Sequence, residues 1–541
     1  MTFEEWGTAT GKPREERLMT NHLIGQGGMT RRGLLKSSMA MTAAGLMLPA
    51  GMAMAQAEPK KGGTLRIGFN SGSTVDNYDP GVWDTNFVQV FAQARHNYLT
   101  EIAADGSLVG EVAESWEASS DATTWTLKIR QGITFHSGGT LTVDDVIASI
   151  NYHRGPDSTS AAKPIVDPIV EMKSDGPNTV IVTLSGGNAD FPYLMSDYHL
   201  PIMPAKDGKI DPTSSDGCGP YKVDSFEPGI SASLNKHQGY WKTDRGHFDG
   251  LLLLALPDPV ARQNALLTGE VDVINQVDLT TVSMMARNSA IRILSVTGNQ
   301  HFCFPMDTRA APFNDNNVRL ALKHALDRQE MVDKILYGYG AVGNDNPIGP
   351  TQQYYAADLP VNSYDPDKAK FYLGQAGLTS LDVPLWVAEA GFTGATDSGT
   401  LYAERAKTAG INITVERAPN DGYWSNVWMQ KAWCASYWGG RATCDWMFST
   451  AYAAGAPWNE SYWDDERFNT LLLQGRSELD DAKRGEIYHE MQAIVSHEGG
   501  VVIPMFASFV MGVSNAVATP DVVGANWDLD GFRAVERWWF A

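Results

Sequence analysis

Cysteine is scarce, with four in 541 residues at positions 218, 303, 434 and 444. None forms a C-x-x-C pair, which excludes a dithiol redox motif and a zinc ribbon. Basic charge is also short. There are 42 Lys and Arg against 63 Asp and Glu, a formal net charge of −21. A nucleic-acid binder needs a basic face to displace counterions, and a grip on anionic lipid needs a polybasic patch, so both classes fall away. There is no G-x-x-x-x-G-K-[ST] loop to cradle phosphates, so this chain does not itself hydrolyse ATP. No G-x-S-x-G elbow or H-E-x-x-H motif occurs. The eleven histidines are never three or four apart on a helical pattern, and no metal site or resident cofactor is expected. Internal repeats and low-complexity tethers are absent too.

What remains is a long, well-packed chain. It is 43% hydrophobic and 10% aromatic, a composition that supports large cores in two or three domains. Residues 1–57 read as an address and not as fold. Thr30-Arg31-Arg32-Gly33-Leu34-Leu35-Lys36 resembles a twin-arginine export signal. An uncharged run follows from Ser37, and Ala55-Gln56-Ala57 offers an A-x-A cleavage site. Ser, Thr, Gly and Pro in the run make it a poor spanning helix. Met29 is the expected true start, and the mature chain begins at Glu58. Export implies an oxidising periplasm, where four cysteines allow three complete pairings. Cys434 and Cys444 flank Gly439-Gly440, and a bridge closing that short loop is expected.

Strands and helices are mixed. Leu65, Ile67 and Phe69 alternate with Arg66 and Gly68, a period-2 strand, and Trp125–Arg130 reads the same way. Thr142 and Asp145 form a capping box that opens a helix. Asn314-Asp315 precede a helix with Val318, Leu322, Ala325 and Leu326 on one face. The class is α/β or α+β.

Several segments resemble one family. Gly110–Glu117 with Asp121–Gly138, then Gly217-Cys218-Gly219-Pro220-Tyr221, then Arg262–Asp272, then Pro312-Phe313-Asn314-Asp315 through Arg319, follow the order of motifs in the extracellular solute-binding proteins of family 5. These are the peptide- and nickel-type binding components of ABC importers. The resemblance implies an α/β, two-lobed periplasmic binding protein fold, type II-like, with an extra subdomain on lobe I. It places lobe I at 58–100, 205–300 and 510–541, the subdomain at 101–204 and lobe II at 301–509. It implies a monomer that captures a peptide-like or small organic solute between closing lobes and delivers it to an inner-membrane ABC permease. The twin-arginine machinery would be its export partner. An exported enzyme on the same scaffold, and a ligand-presenter for a chemoreceptor, are the alternatives. Trp116, Trp125 and Phe135 are expected in the core, His136 as a packed histidine, and Asp464-Asp465-Glu466 as a helix start.

The candidate site centres on WGGRATCDWMFSTAY, residues 438–452. In peptide-binding members the matching stretch reads Trp-x-x-Asp, and its acid pairs with the ligand's amino terminus. Here Trp438-Gly439-Gly440-Arg441 puts a guanidinium there, which repels an ammonium and suits a carboxylate or phosphate. Asp445 can take the amine role, and the two together suit a zwitterion, unless they pair with each other. Trp424, Trp428, Trp438 and Trp446 offer apolar faces or cation–π contacts. By analogy with the family, Asn77 and Tyr78 in one lobe and Trp386 and Glu389 in the other complete the expected ligand contacts.

Overall fold

A computed structural model describes residues 59–541. The twin-arginine motif, Met29, the uncharged run and the Ala57 cleavage site lie outside the described residues. Among the described residues no helix is long and apolar enough to cross a membrane.

The expected first strand forms over Thr64–Phe69, and Leu65, Ile67 and Phe69 are its fully buried residues on the period-2 face. It pairs in parallel with Gly250–Ala255 and with Val273–Ile274. A helix, Pro259–Thr268, joins those two strands, as a parallel crossover requires. Asp258 caps its start, and Gly269 ends it in the left-handed region at φ 76°. The Arg262–Asp272 motif is therefore structural. The Arg262 guanidinium donates to the carbonyls of Leu256, Asn275 and Gln276, tying the helix to the strand ends.

All of this belongs to one nine-stranded sheet. Two long antiparallel strands, Ile291–Pro305 and Val501–Ser514, carry it from one lobe to the other. Met511 and Val513 sit in the core of lobe I, whereas Phe302, Phe304, Val502 and Met505 sit in the core of lobe II. The expected helix of lobe II runs over Asn316–His324, capped by Asp315, with Val318 and Leu322 buried.

A separate four-stranded antiparallel sheet, in the order Ala113–Ala118, Thr124–Ile129, Thr179–Leu184, Ile169–Ser174, forms the extra subdomain. Helix Val143–Tyr152 opens with the expected capping box, in which Asp145 Oδ2 accepts from the Thr142 N–H at 2.7 Å. Trp125 and Phe135 are buried and Trp116 packs beside them. His136 Nε2 lies 3.0 Å from the Gly219 carbonyl, a packed, hydrogen-bonded histidine.

A buried ionic knot holds the subdomain and the C-terminus to lobe I. Carboxylate oxygens of Glu101, Glu111 and Glu536 gather within 4.8 Å of one another. The Lys242 ammonium sits among them at 2.8, 2.6 and 3.0 Å, where a metal cation would otherwise stand. Arg533 and Arg537 close the knot. Burial alone would push Glu536 up, but Lys242 and Arg533 bring it down to about 2.

The expected Cys434–Cys444 bridge is not formed, and all four cysteines are free and buried. Cys434 packs with Tyr423 and Val427, while Cys444 packs with Cys303, Met447 and Phe448 in a different cluster. Closeness in sequence across a glycine bend did not bring the two thiols together.

Candidate functional site

The site segment starts as an edge strand. Ser436–Trp438 pairs antiparallel with Cys303–His301 on the first of the two crossing strands. Alternation buries Ser436 and Trp438 and leaves Tyr437 exposed. The chain then turns at Gly440, whose φ is 82°. A Cβ there would meet Asn299 Cβ at 2.4 Å, so both the backbone and the space demand glycine. Gly439 has open space around it. Thr443 then caps helix Cys444–Ala451 by accepting from the Trp446 N–H.

The turn folds Arg441 back over the wall. Its guanidinium lies 5.6 Å from the Trp438 ring centre and 5.7 Å from that of Trp446. Its Nη1 donates to the Gly440 carbonyl at 2.7 Å. Its own carbonyl accepts from Gln352 Nε2 at 3.0 Å. No carboxylate forms an ion pair with it among the described residues. Burial lowers its pKa, opposed by the electrostatic effect of nearby Tyr198 and Asp197.

Asp445 does not pair with Arg441. It faces Arg476, on helix Glu466–Ser477, at 3.2 Å. Burial pushes its carboxyl up to about 6 even so. That helix begins at the Asp464-Asp465-Glu466 run, where Asp465 caps it, so these acids are a helix start as expected.

The other expected contacts divide. Trp424 lies at the exposed end of the wall, edge-to-face with Trp428 and Tyr437. Trp386 is half-buried beneath the Lys431 ammonium, 4.4 Å above its ring. Glu389 accepts from the backbone N–H groups of Gly394 and Thr396, which commits it to the start of the helix Ala395–Ala406. Tyr78 packs into lobe I against Phe91 and Phe226 and beneath the Arg95 guanidinium. Asn77 is exposed and shapes its own loop, accepting from the Asp79 N–H and the Trp83 indole. Tyr78 thus also packs within lobe I, and Glu389 also serves a helix start.

Two features had no signal in the motif pattern. Glu460 lies buried behind the wall and accepts from Trp428 Nε1, Trp438 Nε1 and Ser436 Oγ. The only hint was that Glu460 is the sole charge between Trp446 and Trp463. The second is a contact between the subdomain and lobe II. Asp190 meets Arg484 at 2.5 Å, the Ala189 N–H donates to the Arg476 carbonyl at 2.7 Å, and Tyr193 donates to Gln353 at 3.0 Å. Beside it a cavity of about 580 Å³ opens between Ile102 and Tyr193 on one side and Asn299, Gln352 and Ala442 on the other.

Two lobes joined by a strand pair, with a cavity of mixed polar and apolar lining and an aromatic wall, form a clamp for a small solute. The model of the bacterial extracellular solute-binding proteins, family 5, matches residues 107–460, well over half of the chain. The chain belongs to that family. This binding protein is 25% identical over 434 residues to the dipeptide-binding protein of Escherichia coli (strain K12), covering 72% of this chain and 79% of that one. It resembles the structure of HbpA2 from Haemophilus parasuis with a TM-score of 0.79 at 21% identity, over 88% of this chain and all of that one. It also resembles AgaA from A. tumefaciens R10 in complex with agropinic acid, with a TM-score of 0.70 at 24% identity over 88% and 99% of the two chains. The binding protein is the periplasmic solute-capturing component of an ABC importer, two-lobed and of mixed α/β content. Its relatives are binding proteins and not enzymes.

Proposed function

We propose that the binding protein captures a small, peptide-like zwitterion or anion and seats its carboxylate on Arg441. One observation carries this reading. Arg441 is a half-buried guanidinium at the lobe boundary that ion-pairs with no carboxylate among the described residues, while the neighbouring acid is committed to Arg476. A charge left unpaired in a drier cleft is costly unless a ligand answers it. Trp438 and Trp446 supply the faces on either side, and Trp424 and Trp428 extend them. The relatives named above bind a dipeptide and agropinic acid, both within this class of solute. The lobe limits drawn from the sequence are part of the reading, because the crossings at 300/301 and 509/510 fall within the two long paired strands. So are a non-catalytic role, a monomeric state and the inner-membrane permease as the receiving partner. Export through the twin-arginine machinery with cleavage after Ala57 is supported by the Arg31-Arg32 motif and the A-x-A site. N-terminal sequencing of the exported protein tests it.

The deciding experiment is native mass spectrometry of the exported protein, followed by identification of what denaturation releases. A carboxylate-bearing solute is expected. Calorimetry with that solute should then show Arg441→Ala weakening it by about 2–5 kcal/mol, the cost of removing one partner of a buried charge-assisted contact. An unchanged affinity would sink the assignment of Arg441.

A further inference from the structure

Two of the wall's indole N–H groups are turned to a buried acid. Trp428 Nε1 reaches Glu460 Oε2 at 2.5 Å, and Trp438 Nε1 reaches Oε1 at 2.9 Å. Ser436 Oγ and Cys303 Sγ add further contacts at 2.8 and 3.5 Å. An indole N–H only donates, and each oxygen of Glu460 receives one, so the carboxylate is held as an acceptor on both sides. Glu460 is 8% exposed. No Lys, Arg or His pairs with it among the described residues. A hydrogen-bonded but uncompensated carboxylate in a low-dielectric wall projects negative potential through the rings in front of it.

Those rings form a corner. Trp424 is 41% exposed and Tyr437 43%. The Trp424 ring stands at 77° to Trp428 and at 65° to Tyr437, each 5.8 Å away centre to centre. Rings set near right angles present π faces from two directions, the geometry that holds an ammonium. The same region already uses its rings in this way with its own cations. Lys431 covers Trp386, and Arg441 lies over Trp438 and Trp446. Among the described residues none stacks on Trp424 or Trp428.

We infer that the corner of Trp424, Trp428 and Tyr437, backed by Glu460, is a second subsite of the cleft and takes a cationic group, a primary or quaternary ammonium. This rests on the proposed function in that the same solute places its carboxylate on Arg441, so the ligand class narrows to a zwitterion with separated charges. Glu460 acts here as a positioning residue. It fixes two tryptophans and supplies the field, without touching the ligand.

The test uses the full exported chain labelled with 5-fluorotryptophan and followed by fluorine NMR. Trp424→Phe and Trp428→Phe assign the two signals. The probe is tetramethylammonium chloride, against sodium chloride at the same ionic strength. A saturable shift of the Trp424 and Trp428 signals is expected in the unaltered protein and in Arg441→Ala alike. Glu460→Gln and Trp424→Leu should each weaken it about tenfold or more. If Glu460→Gln does not fold, Trp424→Leu and Tyr437→Leu, both at exposed positions, answer the same question. No saturable shift, or the same shift in every variant that folds, overturns the inference. Sodium acetate probes the other end. Tetramethylammonium binding without any acetate effect lost in Arg441→Ala would refute the arginine reading and leave the corner standing.

Discussion

Replacing Asp190 by alanine should hold the binding protein open. Asp190 and Arg484 meet at 2.5 Å with side chains only 4% and 7% exposed. They come from opposite sides of the cleft, the subdomain and helix Asp481–Glu498. Removing one partner of a buried pair costs about 3–5 kcal/mol, because the other charge stays buried without its complement. Part of that is softened here, since Arg484 also donates to the Gly475 carbonyl and stacks on Tyr488. Parting of the lobes at this contact would solvate Arg484 and remove the loss. The full difference therefore falls on the closure equilibrium. Taking about 3 kcal/mol, the closed form loses roughly two powers of ten in population, and apparent ligand affinity falls by the same factor with no ligand contact touched. Small-angle scattering of the unliganded and liganded protein reads the open fraction, and calorimetry reads the affinity. Arg484→Ala alone and the double variant complete the cycle. Lower thermal stability with unchanged scattering and unchanged affinity would refute the reasoning, since the pair would then be a fixed part of the fold.

Three further outcomes are expected. Lys242→Met should lower stability by about 3–5 kcal/mol in a denaturant melt, because it leaves three buried carboxylates around a missing ammonium. Asp445 sits at about 6 in the folded protein, against about 3.9 in an unfolded chain. The folded state thus holds that proton more tightly, so the group costs stability above its folded value and stops doing so below its unfolded one. Asp445→Asn should remove a fall on the order of 2 kcal/mol in stability between about pH 4 and pH 7. Thiol labelling should count four reactive cysteines in denaturant without reductant and almost none in the native protein; two fewer in denaturant would restore a disulfide.

Local pattern made much of the fold legible. The alternation at Leu65, Ile67 and Phe69, the Thr142–Asp145 box and the Asp315 and Asp465 caps each report interactions within a few residues, and each forms as expected. The site was harder. Arg441 and the tryptophans stood out as candidates because they lie close together in the chain, within residues 424–446. Glu460, Asp190 and Lys242 act on partners 22 to 294 residues away, and no spacing rule reaches that far. Tyr78 and Glu389 were assigned by position after a strand. Their side chains also answer nearer demands, a ring cluster and a helix start. The cysteine expectation failed for the same reason, since ten residues of separation do not decide which core each thiol enters.

The ladder of the crossing strands shifts register at two places. One lies between Phe302 and Phe304, and the wider one between Thr297 and His301, across Gly298, Asn299 and Gln300. Asn299 is also the residue packed against Gly440, and its side-chain amide reaches the Arg441 carbonyl. Arg441 therefore hangs from the wider of these interruptions. On the function proposed above, a solute that fixes Arg441 would stiffen this stretch of the ladder, and one that fills the cavity without engaging it would leave the stretch free. Selectivity at such a clamp lies less in which molecules enter than in which of them lock the jaw for the permease to recognise.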